Sequence, residues 1–212
     1  MRVILTRPEG QAGELAERLR ACGHEVVVCP LVRIESLGGE PIDLSGYDWL
    51  VVTSANGARE LARRARGRAA HVAAIGPATA AALVAAGLEP DLVSPVATQE
   101  GLLDALPRPA GRVLVAAAEG ARRLLVDSLG ADFVPLYRTV EVRPPVLPAG
   151  DVVVLASGSA ARALGGLRLD VPAVSIGPQT SAAARAAGIR VVAEAATHDV
   201  DGIVNAVATL AS

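Results

Sequence analysis

The residues Ile75-Gly76-Pro77-Ala78-Thr79 return 101 positions later as Ile176-Gly177-Pro178-Gln179-Thr180, and Gly87 and Gly188 downstream keep that spacing. Each copy follows an apolar run, residues 72–75 or 173–176, that reads as a buried strand. Glycine allows a sharp turn, and proline suits the first helical position because its missing N–H would have no partner there. The alanine-rich run that follows is a helix, and Gly87 or Gly188 stops it. Thr79 and Thr180 therefore fall in a first helical turn, beside backbone N–H groups able to bind an anion. A well-capped βα unit with no ligand would also use these residues. Two copies at one spacing add a duplicated architecture.

The rest of the chain repeats in register with this motif. The strand at 48–53, followed by Thr53-Ser54-Ala55-Asn56-Gly57 and a helix from Ala58 to Arg66, is echoed by 151–157 and Ala161-Arg162. Pro30-Leu31-Val32-Arg33 is echoed by Pro135-Leu136-Tyr137-Arg138, and Glu9-Gly10 by Glu119-Gly120. Strands alternating with helices in each half require parallel sheets covered on both faces. The expected fold is α/β, with two flavodoxin-like parallel-sheet domains.

Composition narrows the function. Aromatic residues make up 2% of the chain and the net charge is −2, so neither stacking platforms nor a basic footprint for nucleic acid is present. No apolar run is long enough for a membrane span, and the N-terminus does not read as a signal peptide. Cys22 and Cys29 are expected to be buried thiols, and His24, His71 and His198 lack metal-ligand spacing. A cytoplasmic protein without metal or cofactor is expected.

Ligands of open parallel sheets bind beyond the carboxyl ends of the strands. Those ends carry Arg7, Thr53, Ser54, Asn56, Gly57, Gly76, Thr79, Ser157, Gly158, Ser159, Gly177 and Thr180. This set is rich in hydroxyls and turn amides, and it lacks a general-base histidine, a carboxylate pair and a dinucleotide or Walker glycine motif. It suits holding several anionic groups better than it suits nucleophilic attack.

The ordered set Leu5-Thr6-Arg7-Pro8, Pro30-Leu31, 48–57, Ile75-Gly76-x-x-Thr79-Ala80, Leu136-Tyr137-Arg138-Thr139 and Ile176-Gly177-x-x-Thr180 resembles the uroporphyrinogen-III synthase family (HemD-like). It departs from that pattern at Ala116-Ala117-Ala118, where relatives often carry Arg-Gly. The resemblance implies a discontinuous domain, 1–33 plus 143–212, and a second domain, 38–137, with linkers at about 34–37 and 138–142 and a cleft between the domains. It implies a lyase of tetrapyrrole (haem and corrin) biosynthesis, acting without a cofactor as a monomer. The substrate would be the linear tetrapyrrole hydroxymethylbilane, closed to uroporphyrinogen III with inversion of ring D and loss of water.

Within that reading Tyr137 is the candidate proton donor, or else a residue packed at the domain junction. Thr79 and Thr180 are candidate carboxylate binders, or else helix caps. Arg7, Thr53, Ser54, Asn56, Gly57, Gly76, Ser157, Gly158, Ser159 and Gly177 are further substrate-binding candidates. Arg122 and Arg138 could meet carboxylates or be solvated. Two rival readings are a non-enzymatic two-lobed binder of a small polyanion and a receiver-like regulatory module. The second lacks the acidic strand ends a receiver needs.

Overall fold

Short β-branched runs between glycine turns become strands because Val and Ile fit a pleated, doubly covered surface. The computed structural model describes residues 1–146, 148–167 and 170–210. Its strands are β1 (Arg2–Leu5), β2 (Glu25–Val28), β3 (Val32–Ser36), β4 (Ile42–Asp43), β5 (Trp49–Val52), β6 (Ala65–Arg66) and β7 (His71–Ala74). They continue as β8 (Leu92–Val93), β9 (Val113–Ala118), β10 (Asp132–Glu141), β11 (Val152–Leu155), β12 (Ala173–Ser175) and β13 (Val191–Glu194). The helices are α1 (Gly13–Ala21), α2 (Ala55–Arg64), α3 (Pro77–Ala85), α4 (Gln99–Ala105), α5 (Leu124–Leu129), α6 (Gly158–Gly165), α7 (Pro178–Ala186) and α8 (Val200–Ala208).

The chain divides into two compact units: Met1–Arg33 with Thr139–Ser212, and Ile34–Arg138. The sheet of the first unit runs β2-β1-β11-β12-β13, all parallel. Counted within the unit this is the order 2-1-3-4-5 of the flavodoxin type. The second sheet runs β3-β10-β9-β5-β7-β8, and its parallel part, β10 to β8, counts 5-4-1-2-3 along the chain, a circular permutation of the first order that becomes 2-1-3-4-5 when β9 is counted first. The sequence repeat and the sheets therefore do not coincide. The five parallel strands of each sheet comprise an adjacent pair from one sequence copy (β2-β1 or β10-β9) and three from the other.

Each sheet buries both faces. In the first unit Val3, Leu5, Val152 and Val154 pack with residues of α1 and α8, while Ile4, Val153 and Leu155 pack with α6 and α7. In the second, Leu50 and Val52 share a cluster with Leu61 of α2 and Leu83 of α3; Trp49 and Val51 face Leu102 of α4 and Leu125 of α5. The alternation along single strands is the period-two signature of a doubly covered sheet.

Three details differ from the expectation. Ser54 is the N-cap of α2, its Oγ accepting the Gly57 N–H at 3.0 Å, so Asn56 and Gly57 lie inside the helix and not in the turn before it. The helix ends at Arg64, because Ala65-Arg66 turn extended and pair with Ile42-Asp43. Cys22 is exposed, at the C-cap of α1, and Cys29 alone is the buried thiol.

Candidate active site

In both units the repeated motif makes the predicted strand–glycine–helix turn. Gly76 is the N-cap of α3 and Gly177 that of α7, each with extended backbone (φ 176 and 167) and no side chain to close the helix end. Their need for glycine is one of space. A Cβ on Gly76 would lie 2.9 Å from the Ala97 Cβ, and one on Gly177 would lie 2.6 Å from His198 Nε2.

Thr79 and Thr180 are 4% and 6% exposed. Neither hydroxyl caps its helix, and neither has a hydrogen-bond partner among the described residues. The capping is done elsewhere. Ser157 Oγ accepts the Ala160 N–H at 3.2 Å, and Thr98 and Asp199 cap α4 and α8 through the Gly101 and Gly202 N–H groups. Buried polar groups are ordinarily satisfied. Two first-turn threonines that cap nothing are suited to an external acceptor.

In the second unit the arrangement has a further member. The Tyr137 hydroxyl lies 2.9 Å from Ser54 Oγ, although β9 stands between their strands. A bulge between Pro135 and Tyr137 makes this possible. Consecutive strand residues normally face opposite ways, but here Leu136 and Tyr137 pack in one cluster with Ala116 and Ala118. Those alanines are small enough for the ring to cross β9. Burial pushes the Tyr137 phenol up from its ordinary value, and the Ser54 hydrogen bond pulls it partly back. The phenol thus keeps its proton at neutral pH. When Ser54 donates to Tyr137, the Tyr137 proton is left for another acceptor.

In the first unit Arg7 follows β1 and Ser157 follows β11, adjacent strands at the order reversal where open sheets bind ligands. Burial lowers the Arg7 guanidinium and Glu14 raises it, and the group stays charged. Gly158 and Ser159 continue from Ser157 into α6; Ser159 Oγ accepts from Arg162 at 3.4 Å. Asn56 Oδ1 accepts from Arg59 at 2.9 Å, and Thr53 is half-buried after β5. The structure thus gathers Thr53, Ser54, Asn56, Gly57, Gly76, Thr79 and Tyr137 on the second unit, and Arg7, Ser157, Gly158, Ser159, Gly177 and Thr180 on the first. Arg122 and Arg138 are already engaged, by Glu100 at 2.5 and 2.9 Å and by Glu35 at 2.9 Å.

Sequence reasoning passed over a second polar group at the α7 turn. Ser175 and Ser181 Oγ lie 2.5 Å apart, and Ser181 donates to Glu194. His198 borders the same turn. The constant spacing was the available signal, since these four positions correspond to Ala74, Ala80, Val93 and Ala97 in the other copy. Among the described residues no group of three or more His, Cys, Asp or Glu could hold a metal ion, and no helix is long and apolar enough to cross a membrane.

Comparison with known proteins adds a family. Residues 13–205 match the family model described as uroporphyrinogen-III synthase HemD. A uroporphyrinogen-III synthase of Synechococcus elongatus is 28% identical over 143 residues, covering 60% of this chain and 54% of that protein. A Methanocaldococcus jannaschii relative is 27% identical over 151 residues, covering 66% of this chain and 63% of the relative. The chain thus spans less than two thirds of these relatives. The crystal structure of a mutant uroporphyrinogen III synthase from the thermophile Thermus thermophilus shares the fold, with TM-score 0.65 and 18% identity over 99% of this chain and 98% of that one.

Proposed function

The chain belongs to the uroporphyrinogen-III synthase HemD family, and from that premise we propose that it cyclises hydroxymethylbilane to uroporphyrinogen III, with inversion of ring D and loss of water. The two compact units are its domains, and a single chain in the cytoplasm is the working form. The observation that carries this reading is the match over residues 13–205, within which most of the hydroxyl and amide turns of both units lie.

The substrate brings its own reactivity: electron-rich pyrroles, and a hydroxymethyl group whose departure leaves an azafulvene-like cation. The chain supplies orientation and a proton. Tyr137 gives its phenolic proton to the leaving hydroxyl as the carbon–oxygen bond breaks, and water departs. The resulting phenolate is held by the Ser54 hydroxyl, itself anchored on the Gly57 N–H. The substituted carbon of ring D then attacks the cation to give a spiro centre. The bond from that carbon to the bridge with ring C breaks, leaving the bridge as a second azafulvene-like cation. The unsubstituted α-carbon of ring D closes onto it, and its released proton restores the phenol. General acid help of this kind contributes about 10²–10⁴ in rate.

Carboxylates of the substrate are taken by the helix N-termini at Gly76 and Gly177, by the Thr79 and Thr180 hydroxyls, and by Arg7. Thr53, Ser54, Asn56, Gly57, Ser157, Gly158 and Ser159 complete the two sets of turns. Each helix terminus is worth about 0.3–1 kcal/mol toward an anion. Holding the chain of pyrroles in one conformation converts those small terms into control over which carbon closes the ring.

Incubating the purified chain with hydroxymethylbilane and resolving the product isomers tests the proposal. Type III is expected. Only type I, the product of unaided closure, would overturn it.

A further inference from the structure

The two repeated turns share a backbone and differ in what stands over the glycine. At Gly76 it is the methyl of Ala97, and at Gly177 it is the imidazole of His198. His198 is exposed and makes no hydrogen bond among the described residues. Its acidic neighbours are occupied. Asp199 accepts the Gly202 N–H at 2.7 Å and the Thr197 hydroxyl at 2.8 Å, and Asp201 pairs with Arg18 of α1. Glu194, at the end of β13, accepts from Ser181.

The same turn holds Thr180, 6% exposed, with a hydroxyl that has no described partner in the first turn of the nine-residue helix α7. Three kinds of donor therefore border one glycine: first-turn amides, the threonine hydroxyl and an imidazole N–H. All three can donate to one acceptor, and the amides can only donate, which fits a carboxylate.

We propose that His198 is a substrate-binding residue of the first unit, donating an imidazole N–H to a substrate carboxylate seated on the Gly177–Thr180 turn. This rests on the function proposed above. It makes the turn of the first unit the more discriminating of the two, because the equivalent position in the second unit, Ala97, has no donor to offer. It also accounts for Gly177. Any side chain there would occupy the space from which the imidazole reaches the helix end.

His198→Ala, His198→Gln and the wild type are compared in steady-state turnover of hydroxymethylbilane, product isomer analysis, thermal melting and equilibrium binding of uroporphyrin III followed by its fluorescence. Loss of a hydrogen bond to a charged group predicts about a tenfold rise in KM and in the uroporphyrin III Kd for His198→Ala. The value of kcat and the melting temperature should hold. His198→Gln, which keeps an N–H donor, should recover part of both losses. A wild type that makes type III while His198→Ala keeps its KM and Kd overturns this inference alone. A wild type that makes only type I overturns it together with the function on which it rests.

Discussion

The turn before α3 and the turn before α7 show how one backbone serves two chemistries. Both begin on an extended glycine followed by proline, both present a buried threonine in the first helical turn, and both adjoin a second capped helix. Around α3 the neighbouring positions are Ala74, Ala80, Val93 and Ala97; around α7 they are Ser175, Ser181, Glu194 and His198. The glycine–proline pair sets the helix N-terminus, with its first-turn amides uncapped by any side chain. The four lining positions then decide whether the corner is apolar or carries hydroxyls and ionisable groups. Duplication preserved the first property and left the second free to diverge.

The largest expected effect lies outside that pair of turns and tests whether the second unit owns the proton step. Tyr137→Phe should lower kcat by about 10²–10⁴. Its melting temperature should stay within a few degrees, because the ring still fills the space over Ala116 and Ala118. Turnover near the wild-type value in the folded variant would reduce Tyr137 to a packing residue.

The next two compare the turns directly. Gly76→Ala drives a Cβ against the Ala97 Cβ, which its own backbone holds in place, and should cost about 1–3 kcal/mol in denaturant unfolding. Gly177→Ala meets the tip of an exposed imidazole that can swing away, so its stability loss should be smaller while its KM rises. Equal stability losses would mean that His198 is as fixed as Ala97. Ser181→Ala strips the fully buried Ser175 hydroxyl of its partner and should cost about 1–3 kcal/mol by the same measurement, whereas position 80 in the other copy is already alanine. A neutral result would show that the hydroxyl chain is not coupled to the fold.

Much of this was legible from residue order. Alternating apolar runs and the constant spacing of Gly76 and Gly177 gave the strands, the helices and the parallel class, because period and turn chemistry are local properties. The exchange of strand pairs between copies was not legible by periodicity, since β1 pairs equally well with any parallel neighbour of matching pattern. The Tyr137–Ser54 contact was hidden for a related reason. It depends on a bulge at Pro135 and on small side chains at Ala116 and Ala118, residues remote in sequence from Ser54. His198 was passed over because no metal-ligand spacing surrounds it. Its proximity to Gly177 arises only when β13 lies beside β12.

The smallest expected effect concerns acid stability. Hydrogen bonding to Arg122, foremost, holds the Glu100 carboxyl down to about 2. A depressed carboxyl stabilises the fold above its unfolded value of about 4.3, and that contribution is lost as pH falls toward 2. Glu100→Gln should therefore flatten the acid limb of the stability profile between those limits and leave neutral pH activity unchanged. An unaltered limb would show the pair to be solvated. In the first unit the corresponding helix, α8, places its arginine pairing elsewhere, between Asp201 and Arg18 of α1.

The central claim is that threonine hydroxyls and turn amides hold the substrate while its own chemistry proceeds. The ratio of type III to type I product from the Thr79→Ala/Thr180→Ala double variant, read beside the wild type at substrate concentrations below KM, tests it most directly. The account predicts mainly type III from the wild type, a shift toward type I in the variant and an unchanged melting temperature, since neither hydroxyl caps its helix. An unchanged isomer ratio and KM in the variant, or a loss of folding in place of a loss of binding, would contradict it.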